Sequence, residues 1–307
     1  MSKASIDVII PCYNTGRYLR EAIDSVLAQT LLPAKLIVIN DGSTDDSGEI
    51  ADSYLKTYTG PVEIIHHRQQ NAGLSAARNA GLAKSTSEFV AFLDADDYWM
   101  PNKLKLQMEV FESGKIPNLG LVYIQHELMD EKGNGMTNTP VLQIDRKAQG
   151  MIFDQLCMYN LVTASASGVL LTRRCIEFTG HFDTGLRALE DWDYWLRASK
   201  HVAFGYVTEP QVKLRSHSNN MQKDTVRMNT NMLRFYKKWL PQISNPEALR
   251  EWAFQIAKPV WTTTDSKQAM QLIRETFTSD DLRRLFPRTF GSLWLYVKLQ
   301  KFRYLLS

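Results

Sequence analysis

The sequence predicts an α/β fold in which a mostly parallel central sheet carries helices on both faces, followed by a helical C-terminal extension. Two observations carry that expectation. In the first hundred residues, short β-branched or aromatic runs alternate with segments whose apolar residues recur three and four apart, giving the order βαβαβαβ. From about Met221 onward, helical patterns divided by Pro and Asn replace the alternation.

Taken in order, "IDVIIP", "KLIVIN", "VEIIHH" and "EFVAFLD" read as strands buried on both faces, the environment of a parallel sheet. Between them "GRYLREAIDSVLAQT", "DDSGEIADSYLKTY" and "LSAARNAGLAKS" read as helices, with Leu19, Ile23, Val26 and Leu27 forming the apolar stripe of the first. Right-handed crossovers build these units into an open sheet whose ligands lie beyond the carboxyl ends of the strands. After Trp99 the alternation loosens. "MPNKLKLQMEVFES" reads as a helix, "LGLVYIQHELMD" and "SASGVLLTRRCI" as strands, and "EKGNGMTNTP" as a turn or loop. Glu190 and Asp191 then open a helix on which Trp192, Trp195 and Leu196 have face spacing. "TNMLRFYKKWLPQI", "PEALREWAFQIAKPVW" and "SKQAMQLIRETF" supply the C-terminal helices.

Composition bounds the class. A chain of 307 residues with 44% hydrophobic content can bury one large core, or a core and a smaller appendage. The apolar runs near the N-terminus are too short for a signal sequence or a membrane span, so a cytoplasmic protein is expected. Cys12, Cys157 and Cys175 are odd in number and widely spaced, which suits packing rather than disulfides or zinc. The formal net charge is +3, yet six cations and no acid follow Leu282, so the first 281 residues carry a net −3. That basic tail also carries "LWLYVKLQKFRYLL". It suits peripheral contact with an anionic membrane surface, but its polar residues do not fall cleanly on one helical face, which favours a terminal helix packed on its own domain.

The polar strand ends carry the chemistry. Strand one runs into Pro11, Cys12, Tyr13 and Asn14, strand two into Asn40, Asp41, Gly42 and Ser43, and strand four into Asp94, Asp96 and Asp97. In an open α/β sheet these ends should converge on one rim. By itself, "NDGSTDDS" also reads as a turn in which Ser43 or Thr44 caps the next helix. No GxGxxG follows strand one and no GxxxxGK[ST] occurs, so phosphates must be held by other means. Three clustered carboxylates repel one another unless a cation intervenes. In an extended segment Asp94 and Asp96 face one ligand and Asp97 faces away, a donor pair suited to Mn²⁺ or Mg²⁺ completed by substrate phosphates. An EF-hand is excluded, because its glycine and glutamate positions are Trp99 and Lys105. A phosphatase or phosphotransferase with Asp94 as nucleophile stays open, as does a nucleotide-sugar-binding protein without catalysis.

"VIIPCYN", "IVINDGSTDDS", "NAGLSAARNAG", "FLDADD" and "LEDWDYWLR", in this order, resemble the family 2 glycosyltransferases with the GT-A fold, over about residues 5 to 218. The resemblance implies inverting transfer from a nucleoside diphosphate sugar, most simply a UDP-sugar, to a glycan or lipid-linked glycan hydroxyl in surface polysaccharide biosynthesis. Nucleic acid is not an expected partner. It implies that Pro11 and Tyr13 line the nucleoside pocket, that Asp41 contacts uracil or ribose, and that Arg78 helps hold the nucleotide. Asp94, Ala95 and Asp96 would form the DXD motif, with Asp94 near the ribose and Asp96 the stronger metal ligand. Asn40 departs from the Asp-Asp pair of many relatives. Asp191 would be the general base, a modest one because a helix N-terminus lowers its pKa. His217, in "KLRSHSNN" with Arg215, would contact metal or pyrophosphate. Trp99, Trp192 and Trp195 are candidates for stacking on sugar rings, with core packing the expected role of at least two of them. The implied organisation is a catalytic domain over residues 1–220, with a nucleotide-binding half (1–98) and an acceptor half (99–220), and a helical region over 221–307.

Overall fold

A computed structural model of the protein describes residues 5–136, 148–162, 164–218, 220, 224–262 and 266–286. The basic aromatic tail beyond residue 286 and the last residues of "EKGNGMTNTP" lie outside them. The chain divides into two compact units. One comprises Met1–Leu156 with Asn160–Asn220, the other Cys157–Tyr159 with Met221–Ser307.

The first unit opens β1 (Ile6–Cys12), α1 (Gly16–Leu27), β2 (Lys35–Asn40), α2 (Ser47–Thr57), β3 (Glu63–Arg68), α3 (Leu74–Lys84) and β4 (Phe89–Phe92). It continues with β5 (Tyr98–Trp99), α4 (Lys103–Glu112), β6 (Leu119–Met129), the first residues of α5 (Phe153–Met158), β7 (Val169–Thr172), α6 (Arg173–Thr179), α7 (Glu190–Ala198) and β8 (Ala203–Arg215). Among the described residues the strands form one sheet in the order β3-β2-β1-β4-β7-β6-β8-β5. The pairings β1/β2, β2/β3, β1/β4 and β6/β8 are parallel, and β7 and β5 run antiparallel to their neighbours.

This order places the site. The chain winds outward from β1 to β3, then crosses back to lay β4 on the other side of β1, so a crevice opens beyond the carboxyl ends of β1 and β4. There the chain presents Asn14 and the aspartates after β4. Because β6 and β8 are parallel, their carboxyl ends also share one end of the sheet.

β1, β2 and β4 are buried along almost their whole length, as their apolar sequences require. β3 is not: it is the edge strand, and most of its side chains are half-buried or exposed. The stretch 165–176 is strand only from Val169 to Thr172. Thr172 ends the strand and caps α6, its hydroxyl accepting the Cys175 N–H at 3.1 Å. The 13-residue β8 and the short β5 were not expected from sequence, since "AFGYVTEPQVKLR" mixes charged and apolar residues without strict alternation. All three cysteines are buried and unbridged.

Asp7 is the one acid inside β1, and it is fully buried. Its carboxylate accepts hydrogen bonds from Ser85 Oγ (2.7 Å), Thr86 N (2.9 Å), Ser87 N (3.0 Å) and Ser87 Oγ (2.6 Å). Burial acts to raise its pKa, but the bonds from Ser87, Ser85 and Thr86 prevail and hold it below the usual value. A depressed carboxylate contributes stability that is present above its unfolded pKa of about 3.9 and is lost as pH falls through the folded value. Asp7→Ala leaves those donors unpaired in the core and should cost ~3 kcal/mol, read as a lower urea midpoint at neutral pH.

The second unit holds α8 (Thr225–Trp239), α9 (Pro246–Ala257), α10 (Pro259–Thr262), α11 (Ser266–Thr276) and α12 (Ser279–Leu285). Pro246 stands in the first turn of α9, where its missing N–H costs nothing, and Asn245 caps that helix. α12 opens with a capping box between Thr278 and Asp281. Among the described residues no helix is long and apolar enough to cross a membrane.

Candidate active site

The first two strand ends interlock. Asp41 N donates to Cys12 O at 2.9 Å, Asn14 N to Ser43 Oγ at 3.0 Å, Thr44 N to Asn14 Oδ1 at 2.8 Å and Gly16 N to Asp45 Oδ2 at 2.9 Å. The polar run "NDGSTDDS" therefore braces the loop before α1. Ser43 and Thr44 do not cap α2, whose N-cap is Asp46 without a side-chain bond. Asn14 takes a left-handed backbone, φ 52°, unusual for a residue other than glycine. Beside it Tyr13 is 49% exposed, whereas Pro11 is buried within β1. Of the two residues expected to line the nucleoside pocket, only Tyr13 offers a side-chain surface.

Asp41 is also turned inward. Its Oδ1 accepts from Gln69 Nε2 (2.7 Å) and Ala72 N (2.9 Å), and its Oδ2 from Gly73 N (2.8 Å). With both oxygens occupied and almost no exposure, it anchors the entry to α3 instead of presenting itself to a base. Gly73 at that entry has φ 93°, and a Cβ there would strike the Arg187 guanidinium.

The aspartate segment is a turn, not the extended stretch expected. Asp97 N donates to Asp94 O at 3.0 Å, closing a β-turn. Asp94 and Asp96 keep side-chain exposures of 22% and 23%, while Ala95 and Asp97 are buried. Asp97 accepts from Ser167 Oγ at 2.6 Å and from Arg215 N at 3.1 Å. Burial, with Asp96 and Asp94 close by, pushes its pKa well above the carboxylate range. Ser167 also accepts Asp94 N (3.0 Å), and its carbonyl accepts Trp99 Nε1 (2.8 Å). This serine was missed in the sequence, because no motif surrounds it and its role depends on β7 lying beside β4.

Arg78 exposes no surface. One terminal nitrogen donates to Asp94 Oδ1 and the other to Glu190 Oε1, both at 2.8 Å. Its two terminal nitrogens are thus taken by the protein's own carboxylates. Arg215 is buried too; its Nε donates to Asp96 O at 2.8 Å, and it pairs with Glu21, so it fixes the turn from behind.

His217 stands at the rim, its Nε2 2.8 Å from Asp96 Oδ2, with the Tyr18 ring 5.2 Å from its own. Asp94 and Asp96 each keep one carboxylate oxygen without a protein partner among the described residues. No three His, Cys, Asp or Glu side chains stand at metal-cage spacing among those residues, and the adjacent pair is Asp96 with His217. The donors suit Mn²⁺ or Mg²⁺, which binds through few protein groups and fills its shell with water and phosphate oxygens.

Asp191 lies in the first turn of α7 and is half-buried. It accepts from Trp192 N at 2.6 Å and is hydrogen-bonded by the Ser165 side chain. The expected depression of its pKa is overturned. Burial dominates and raises it, outweighing the lowering by Arg78 and these hydrogen bonds. Two left-handed non-glycine residues flank it, Ser165 (φ 50°) and Leu189 (φ 61°), the kind of backbone strain that collects at functional sites. Trp99, Trp192 and Trp195 are all buried, and Trp192 Nε1 donates to Leu156 O, so none of the three is placed to stack on a sugar.

A parallel α/β sheet with antiparallel additions and an acidic turn at its switch point is the architecture of the GT-A fold. The sequence profile described as Glycosyl transferase family 2 matches residues 7–152, and the chain belongs to that family. An uncharacterized glycosyltransferase of Rickettsia prowazekii is 31% identical over 216 residues, 69% of this chain and 64% of the relative. The match thus spans under two thirds of that relative's length. Among solved structures, S. aureus TarS in complex with UDP-GlcNAc superposes with TM-score 0.69 at 15% identity, over 97% of this chain and 88% of that one. Mannosyltransferase PcManGT from Pyrobaculum calidifontis, in complex with GDP-Man and Mn²⁺, gives 0.59 at 16% identity, over 98% and 84%.

Proposed function

We propose that the protein is an inverting glycosyltransferase that moves a sugar from a nucleoside diphosphate sugar, a UDP-sugar first, to a hydroxyl of a glycan or lipid-linked glycan. One observation carries this: two partly exposed carboxylates, Asp94 and Asp96, stand at the strand-switch crevice, and Arg78 links Asp94 to the helix that presents a third, Asp191, with a raised pKa. The family membership and the nucleotide sugars held by proteins of the same fold support it.

In this mechanism Tyr13 flanks the nucleoside and Asp94, its second oxygen without a partner among the described residues, meets the ribose side of the donor. Asp96 and His217 would hold Mn²⁺ or Mg²⁺, which when bound offsets the charge growing on the leaving diphosphate. Asp191 accepts the proton of the acceptor hydroxyl as that oxygen attacks the anomeric carbon from the face opposite the diphosphate. Burial makes Asp191 a better base than an exposed aspartate, and Ser165 and Trp192 N fix its orientation.

A base acts only when deprotonated, so kcat should fall as pH drops through the Asp191 pKa. Because that pKa is raised, the acid limb should lie above the ordinary aspartate value of ~3.9. A kcat profile across acid pH checks this; a limb at or below that value contradicts it. The function itself is tested by incubating UDP-, GDP- and dTDP-sugars with Mn²⁺ or Mg²⁺ and acceptor glycans. Metal-dependent nucleotide release with a thermal shift for one donor supports it. Hydrolysis of simple phosphate esters with a covalent phosphoaspartate would replace it by a phosphotransferase.

A further inference from the structure

We propose that Arg78 and Glu190 are positioning residues, forming a buried bridge through which a seated donor at Asp94 sets the general base on α7. This rests on the glycosyl-transfer function above and adds to it a coupling between donor side and acceptor side.

The bridge joins three parts of the chain that are remote in sequence. Arg78 comes from α3, Asp94 follows β4, and Glu190 opens α7, with separations of 16 and 112 residues along the chain. The guanidinium and Glu190 are buried, so neither meets a ligand directly. A planar guanidinium offers its terminal nitrogens in a fixed fork, and moving one carboxylate shifts the other. Lysine, a single point donor, cannot span both.

Helix α7 depends on this clamp at its start. Its N-cap, Leu189, is left-handed and supplies no side-chain bond, so the Glu190 carboxylate is the side-chain tie of the first turn to α3. A second contact runs beside it. The Arg78 guanidinium carbon lies 5.4 Å from the Phe182 ring centre, and Phe182 stacks on Tyr194 of α7 at 4.1 Å. Asn79, next to Arg78, exchanges two hydrogen bonds with the Phe182 backbone at 2.9 and 2.8 Å. Asp191 adjoins Glu190, so a shift of that carboxylate relocates the base. Among the described residues Asp94 has one oxygen committed to the fork and no protein partner on the other, which makes it the member a donor can pull.

The test uses Arg78→Lys, Glu190→Gln and the double variant of the full chain, with thermal melts to measure the folded fraction. Steady-state rates are taken with whichever UDP-, GDP- or dTDP-sugar the wild type turns over. Each single variant should lower kcat per folded protein by ~10²-fold, the scale of an ångström-sized misplacement, with little change in KM for the donor. The double variant should be no worse than the weaker single one, since Arg78→Lys dismantles the fork and Glu190→Gln, which keeps an acceptor oxygen, removes the charge that holds it. Amide exchange gives a readout independent of turnover. The matching nucleoside diphosphate with Mn²⁺ should slow exchange at the start of α7 in the wild type and not in Glu190→Gln, which is close to isosteric and keeps the fold. A rise in KM at constant kcat would overturn the bridge, because Arg78 would then be touching donor. Multiplying losses in the double variant, or equal protection of α7 in wild type and Glu190→Gln, would overturn it too. A wild type that turns over no nucleotide sugar defeats the function itself, whereas an active wild type with indifferent variants defeats only the bridge.

Discussion

Asp191→Asn is expected to stop sugar transfer while leaving donor binding intact. The substitution keeps the size of the side chain and its acceptor oxygen toward Trp192 N, so α7 should start where it does now. What it removes is the lone pair that takes the hydroxyl proton. General-base catalysis contributes ~10²–10⁴-fold, and kcat should fall by that factor. It also removes one negative charge next to Glu190, whose buried carboxyl is raised first by burial and also by Asp191, so the fold should not be destabilised. Single-turnover transfer, with donor affinity measured by calorimetry, separates the outcomes. Unchanged transfer would mean that another group accepts the proton or that the protein only binds its nucleotide sugar.

Asp96→Ala is expected to abolish the metal dependence of donor binding. Asp96 combines a carboxylate at the rim, an oxygen without a partner among the described residues, and contact with His217. Its loss leaves His217 as the remaining member of the pair. Removing even an outer partner of a metal ligand commonly costs 10–100-fold, so loss of a direct ligand should weaken Mn²⁺-dependent donor affinity by at least ~10–100-fold. Binding of donor without metal should change little. Asp97→Asn is the control, because that neighbouring aspartate is buried against Ser167 and Arg215 N and faces away from the rim. Donor affinity that responds to Mn²⁺ equally in wild type and Asp96→Ala would remove Asp96 from the metal site.

Much of the fold was legible because its information is local. Apolar runs of strand length and three-and-four spacing mark β1 to β4 and α1 to α3, since a parallel sheet must bury both faces of its strands. β8 escaped, because a strand whose side chains are partly exposed and whose partners change along its length carries no simple period. At the site, the types of residue were visible and their orientations were not. Asp41 has the polarity of a ligand, yet three N–H donors from residues 69 to 73 claim its carboxylate. For Asp191 the sequence showed a helix start, which alone would lower a carboxyl pKa. The packing around it determines the desolvation that reverses the direction.

By itself, then, the sequence determined the winding of the nucleotide-side sheet and which strand ends bring carboxylates to its rim, because strand length and period are written residue by residue. Only the tertiary structure decided which of those carboxylates face outward, which are spent on the protein's own N–H groups, and that Arg78 joins Asp94 to Glu190. Hydrogen-bond partners a hundred residues apart are a property of how the sheet is laid out, and no local pattern records them.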